Sequence, residues 1–232
     1  MKRIGIIGAM EIEVEELKKR MEVKAVNKIA GMEFCEGHYG NNEVIIVRSG
    51  IGKVNAAICT QLLADRYGAE MVINTGIAGG LYKDINIGDI VIATEALQHD
   101  MDATGFGYAK GVIPQMPTSV FKADDNLRKK AVDICQDVNK DISVYEGRVL
   151  SGDCFVSDNE KKKELWDLFE GYCTEMEGAA IAQTAYLNKI PYLVIRAISD
   201  KADGSAAGDY SAFEAKAVEH TVNLMDALLK EI

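Results

Sequence analysis

The stretch YLVIRAISDKAD, residues 192–203, begins as an apolar strand and then sets Arg196, Ser199 and Asp200 where a buried run should stop. A second stretch, CTEMEGAA, puts Glu175 and Glu177 beside another run that should be buried. Buried carboxylates are costly unless they are paired. A pair between Arg196 and Glu175 inside the fold accounts for one of these three acids with no functional gain, and it leaves two. Several carboxylates converging on one crevice suit acid–base chemistry. Desolvation and like charges raise their pKa values toward the range of a proton donor at neutral pH.

Three other stretches place glycines or acids where strands should end. In GAMEIEVEE a glycine turn leads into Glu11, Glu13, Glu15 and Glu16 near the start of a helix, where the helix dipole favours acids and explains most of them. SGIGKVNAA and NTGIAGGL allow close backbone approach to a ligand, or simply a turn. Neither SGIGK nor the GIIG at Gly5 to Gly8 has the spacing of a phosphate loop or a dinucleotide fingerprint.

The elements that must hold these residues follow from the apolar pattern. RIGIIGA, EVIIVRSG, MVINTGIAGG, GDIVIATEA, EGRVLSGD and PYLVIRAISD are β-branched and mostly apolar throughout, which suits strands covered on both faces. Helical patterns lie between them, at about 11–21, 53–67, 125–138, 160–169, 177–187 and 211–230. Ser157 and Glu160 have the spacing of a capping box before the fourth helix. This alternation predicts a three-layer αβα fold in one domain covering 1–232. In such a sheet the ligand crevice lies at the carboxyl ends of the strands, where the polar residues above would cluster. Residues 105–119, GFGYAKGVIPQMPTS, follow neither period and read as a long loop.

Composition narrows the partners. With 26 basic and 36 acidic residues the net charge is −10, which repels nucleic acid and anionic membranes and favours a small-molecule substrate. The 5 cysteines are widely spaced and form no C-x-x-C, so they read as reduced thiols of a cytoplasmic protein. The apolar run after the basic start is too short for a signal peptide or a span. His38, His99 and His220 are too scattered for a metal site.

In order and spacing, IGIIGAMEIEV, SGIGKVNAA, NTGIAGGL, SGDCFV, TEMEGAAIA and VIRAISDKAD closely resemble the 5′-methylthioadenosine/S-adenosylhomocysteine nucleosidases along essentially the whole chain. The resemblance implies a nucleoside phosphorylase/hydrolase-like fold with a mixed, twisted, partly closed central sheet. It also implies hydrolysis of the N-glycosidic bond to adenine, without metal or organic cofactor. Carried over residue by residue, Glu13 is the general base on water and Asp200 the general acid at adenine N7. Glu177, preceded by Met176, holds the ribose hydroxyls. Phe155 stacks on the purine while the backbone of Val156 reads its edge, and Ile51 and Gly79 lie beside the nucleoside. Ser199 and Arg196 orient Asp200 and Glu175. The enzyme would be a homodimer in which Phe106 and Pro114 complete the partner's 5′-alkylthio pocket. Ile77, and Tyr210 in the loop after the acid, bear on fine substrate preference. A purine nucleoside phosphorylase would need a cationic phosphate pocket where Glu13 stands. An aminodeoxyfutalosine nucleosidase would use the same groups. A non-catalytic nucleoside-binding protein would lack Glu13 or Asp200, and both are present.

Overall fold

Residues 2–232 are described by a computed structural model, with the side chain of Ser211 left aside. The first strand, β1 (Arg3–Gly8), runs into a short 3-10 helix (Glu11–Glu13) and α1 (Glu15–Arg20). The single helix expected over 11–21 is therefore broken at Val14. Next come the hairpin strands β2 (Glu22–Ile29) and β3 (Met32–Tyr39), then β4 (Asn42–Arg48), α2 (Lys53–Tyr67) and β5 (Met71–Gly80). Strand β6 (Ile90–Gln98) leads into the expected loop, which holds only a 3-10 turn (Thr104–Phe106) before β7 (Phe121–Lys122). The remainder is α3 (Asp125–Val138), β8 (Val144–Ser151), α4 (Asn159–Phe169), β9 (Cys173–Glu175), α5 (Gly178–Asn188), β10 (Tyr192–Asp200) and α6 (Ala206–Glu231).

All ten strands join one mixed sheet in the order β10-β6-β8-β9-β5-β1-β4-β3-β2, with β7 beside β6. An additional pairing of β10 with β5 closes β10, β6, β8, β9 and β5 into a five-stranded barrel. Closure removes the free edge on that side, and β1, β4, β3 and β2 fan out from β5 as an open wing. The expected mixed, partly closed sheet is what forms.

Strand alternation supplies the layers. Ile4 and Ile6 of β1 and Val44 and Ile46 of β4 enter one core, which contains α1, α3 and α6 residues such as Leu17, Ala131, Leu224 and Leu228. Ile7 of β1 and Ile45 and Val47 of β4 enter the opposite core, with Ala56, Cys59 and Leu63 of α2 and Ala180 and Ile181 of α5. Both faces are covered, which is why these strands read as apolar throughout.

Helix ends follow local chemistry. The side chain of Asp124 accepts from Leu127 N at 2.8 Å to cap α3. Asp158, and not Ser157, caps α4 by accepting from Lys161 N at 2.7 Å. A carboxylate beside a helix N-terminus satisfies the open N–H and also the dipole, so the aspartate takes the cap. Helix α6 starts at Ala206, five residues ahead of the expected start, since the Ala-rich stretch after Gly204 extends the helix toward the end of β10.

Candidate active site

Strand β10 carries Asp200 as its last residue, and its register against β5 slips between Ile198 and Asp200, so that Asp200 stands opposite Gly79. Such a bulge re-aims the side chains beside it. Asp200 Oδ1 accepts from Ala202 N at 2.8 Å, and Oδ2 accepts from the Ser199 hydroxyl at 2.9 Å. That hydroxyl has a second acceptor, Ala78 O at 3.4 Å. Burial pushes the Asp200 carboxyl above its ordinary range, outweighing the two hydrogen bonds that lower it. A Cβ on Gly79 would come within 2.9 Å of Asp200 Oδ1, so the glycine keeps this space open.

Glu13 reaches the same space from the other side of β5. Its Oε2 accepts from Ala9 N at 2.7 Å and Met10 N at 2.9 Å, and its Oε1 from Ile77 N at 3.2 Å. Burial pushes this carboxyl up too, against the pull of the Arg196 charge and the three amides. A Cβ on Gly76 would stand 2.6 Å from Glu13 Oε1, which explains a glycine in the middle of a buried strand.

Glu177 is the residue before α5 and accepts from Gly52 N at 2.7 Å. Burial, helped by the nearby Glu175 charge, pushes its carboxyl up to about 8. Glu175 itself is fully engaged. It accepts from Arg196 Nε at 3.1 Å and from Arg196 Nη2, from Glu177 N and Gly178 N, and from the Ser151 hydroxyl. The expected Arg196–Glu175 pair is present and buried. Burial works against the Arg196 cation, but the surrounding carboxylates outweigh it and hold its pKa above the ordinary value.

A cavity of about 490 Å³ opens onto Glu13, Glu177 and Asp200. Glu175, Thr174 and Ser199 also reach it, and the rest of the wall is mostly apolar, with Met10, Ile51, Ile77, Val156 and Met176 and two aromatic rings, Phe155 and Tyr210. These rings meet edge to face at 6.2 Å and 88°. No lysine or arginine lines it among the described residues. The described residues also contain no group of three or more His, Cys, Asp or Glu arranged to hold a metal ion. The site combines carboxyls of raised pKa with a largely apolar, aromatic-walled cavity, and can serve proton transfer to a mostly apolar ligand.

Comparison with known proteins bears directly on this arrangement. Residues 3–230 match the family described as the phosphorylase superfamily. The 5′-methylthioadenosine/S-adenosylhomocysteine nucleosidase of Bacillus thuringiensis (strain Al Hakam) is 42% identical over 231 residues, covering 99% of both chains. The chain belongs to this nucleosidase family of the phosphorylase superfamily. Among solved structures, the nucleosidase of Neisseria meningitidis in complex with methylthio-immucillin-A aligns with a TM-score of 0.95 at 37% identity, covering 100% of both chains. The futalosine hydrolase of Helicobacter pylori strain 26695 aligns with a TM-score of 0.94 at 31% identity, covering 100% of this chain and 98% of that one. The fold expected from the resemblance is therefore the fold of the family.

Of the residues singled out by sequence, Glu13, Ile51, Ile77, Gly79, Phe155, Val156, Glu175, Met176, Glu177, Ser199, Asp200 and Tyr210 line this one cavity. Arg196 is not on its wall; it lies beneath, fully buried against Glu175 and Asn74. Phe106 and Pro114 are not on the wall either, and Phe106 is 87% exposed. The sequence reading missed Ala207 as a lining residue, and it placed Tyr210 in a loop, whereas Tyr210 sits in α6 and faces the cavity. The signal was the spacing of Ala207 and Tyr210 by three, obscured by Gly204 and Gly208.

Proposed function

We propose that the protein hydrolyses the N-glycosidic bond of 5′-methylthioadenosine and S-adenosylhomocysteine, and of 5′-deoxyadenosine, as one nucleosidase domain spanning 1–232. The observation that carries this reading is the convergence of Glu13, Glu177 and Asp200 on a single aromatic-walled cavity. Its volume falls within the range of about 300–1,000 Å³ usual for small-molecule sites.

Breaking the bond between the anomeric carbon and adenine N9 sends the electron pair to the base. The base leaves readily only if it is neutralised. In this reading Asp200 donates its proton to N7, and burial favours the protonated form of this carboxyl. The Ser199 hydroxyl turns from Ala78 O toward Asp200 Oδ2 as the carboxylate forms. Phe155 stacks on the purine and the Val156 backbone reads its edge. Glu177, held by Gly52 N, binds the ribose hydroxyls beside the developing ribosyl cation. Glu13, fixed by three backbone amides, accepts a proton from water as its oxygen bonds to the anomeric carbon. One cycle leaves Asp200 ionised and Glu13 protonated, and exchange with solvent restores both.

The cavity wall disfavours phosphorolysis. Phosphate would meet Glu13 with no cation on the wall among the described residues, since Arg196 lies below and is paired to Glu175. The reading includes a homodimer. The loop over 105–119 exposes Phe106 and Tyr108 without covering this chain's own cavity, which suits a twofold contact in which Phe106 and Pro114 reach the partner's site. No helix among the described residues is long and apolar enough to cross a membrane, and the cysteines are unpaired, which fits residence in the cytoplasm.

Purified protein incubated with 5′-methylthioadenosine should release adenine and free methylthioribose at a rate independent of added phosphate. A requirement for phosphate, with the sugar appearing as its 1-phosphate, would replace this reading by a phosphorylase. Release of base from aminodeoxyfutalosine but not from methylthioadenosine would reassign the substrate and keep the mechanism.

A further inference from the structure

Two motif residues take no part in the chemistry above, the lysine of SGIGK and the aspartate of SGD. In the structure they meet. Lys53 N, in the first turn of α2, donates to Asp153 Oδ1 at 2.8 Å. Asp153 N donates to Asp100 Oδ2 at 2.9 Å, and Lys53 Nζ donates to Asp100 Oδ1 at 2.6 Å. These bonds close a ring among three loops that are far apart in sequence. A fourth bond, from Lys53 Nζ to Gln98 Oε1 at 2.9 Å, continues through Gln98 Nε2 to Gln183 of α5 at 2.5 Å.

None of the three ring residues lines the cavity, but Lys53 and Asp153 stand within two residues of Ile51 and Cys154, which do. Consecutive N–H groups at the start of α2 hold one carboxylate from each side: Gly52 N holds Glu177, and Lys53 N holds Asp153. Asp153 is followed directly by Cys154, Phe155 and Val156, which line the base side of the cavity, while Glu177 lines the ribose side. Gly52 has φ +97°, and a Cβ there would come within 3.2 Å of Asp153 Oδ1, so the backbone and the carboxylate are fitted closely. Exposed ion pairs add little to stability. The ring bonds are exposed, with the Lys53 and Asp100 side chains 17% and 28% exposed, but two of the three use backbone amides, so they fix segments and not merely side chains.

We propose that Lys53, Asp100 and Asp153 are positioning residues whose ring sets the spacing between the base-holding segment 153–156 and the ribose-holding Glu177. The inference rests on the nucleosidase reading, because it takes the cavity's two sides to hold the two halves of a nucleoside. A ligand that spans both sides depends on the ring, and one that touches only the base side does not.

The test compares two ligands on Lys53→Met and Asp100→Asn protein. One is adenine. The other is 5′-methylthio-7-deazaadenosine, which has no N7 to protonate and so stays intact. Loss of a charge-assisted bond should weaken the nucleoside by about tenfold while adenine affinity stays within about twofold, in both variants. The double variant should lose little more than either single, because opening the ring once is enough. Equal changes for the two ligands, or none, in folded variants would overturn the proposal. So would failure of both variants to fold, which would make the ring a stability element. Wild-type turnover of methylthioadenosine is measured alongside; its absence refutes the nucleosidase reading separately.

Discussion

Asp89 and Asp200 are buried aspartates near one end of the barrel, 4% and 2% exposed, since β6 begins beside the end of β10. Asp89 stands just before β6, and each of its oxygens accepts from a backbone amide, Oδ2 from Asn86 at 2.7 Å and Oδ1 from Ser143 at 2.8 Å. Its own carbonyl accepts from Ile198 N at 2.9 Å, so it ties the starts of β6 and β8 to the strand that carries Asp200. Asp200 has one amide donor and one hydroxyl that can turn to another acceptor. An acid held wholly by fixed amides works as a staple. An acid with a rotatable donor, facing a cavity, can gain and lose a proton. The chemistry follows from the partners and not from burial or residue type.

Substitutions should separate the two aspartates. The largest effect is expected for Asp200→Asn, which should lower kcat by about 10² to 10⁴ while nucleoside binding and melting temperature change little, as kinetics, calorimetry and thermal melts would show. Near-normal turnover would remove Asp200 from the mechanism. Glu13→Gln should lose about 10² or more in kcat by removing the proton acceptor for water. Full activity there would leave Glu13 as an acid at a helix start. By contrast, Asp89→Ala leaves two part-buried amides without that acceptor and should destabilise the fold by about 1 kcal/mol in denaturant unfolding, with kcat/KM of the folded protein preserved. A large loss of kcat/KM with stability intact would erase the contrast between the two aspartates.

A smaller effect tests the raised carboxyls themselves. Glu177 has an ordinary value of 4.5 and is pushed up to about 8 in the fold. Between these values the unfolded chain releases a proton that the folded chain keeps, so this group's contribution to stability falls as pH rises from about 4.5 to about 8. Glu177→Gln removes that term. The variant should melt several degrees above wild type near pH 8 and show a flatter dependence on pH, even though it loses activity. Identical pH slopes in thermal melts would contradict the raised value.

Much of this was legible in the sequence, and the rest was hidden for definable reasons. The six β-branched runs became β1, β4, β5, β6, β8 and β10, because strands buried on both faces carry an unbroken apolar signal. Strand β2, EVKAVNKI, is exposed along nearly its whole length at the edge of the wing, and nothing in its composition marks it. Strand β9 is three residues long and exists only because barrel closure pairs it with β5 and β8. Glu175, Glu177 and Asp200 stood out as acids beside buried runs, Glu13 was marked only by the family resemblance, and all four line one cavity. The slip in register that turns Asp200 inward, the second acceptor of Ser199 and the ring through Lys53 are matters of geometry, with no trace in residue type.

The central claim is that Asp200 supplies a proton to the leaving base, and changing the leaving group tests it most directly. A 5-methylthioriboside of 4-nitrophenol departs without protonation, whereas adenine does not. Hydrolysis of both substrates is compared between wild type and Asp200→Asn. The mechanism predicts a loss of about 10² or more on methylthioadenosine and nearly wild-type hydrolysis of the nitrophenyl riboside. Equal losses on the two substrates would contradict a proton-donating role and leave Asp200 as a binding group only.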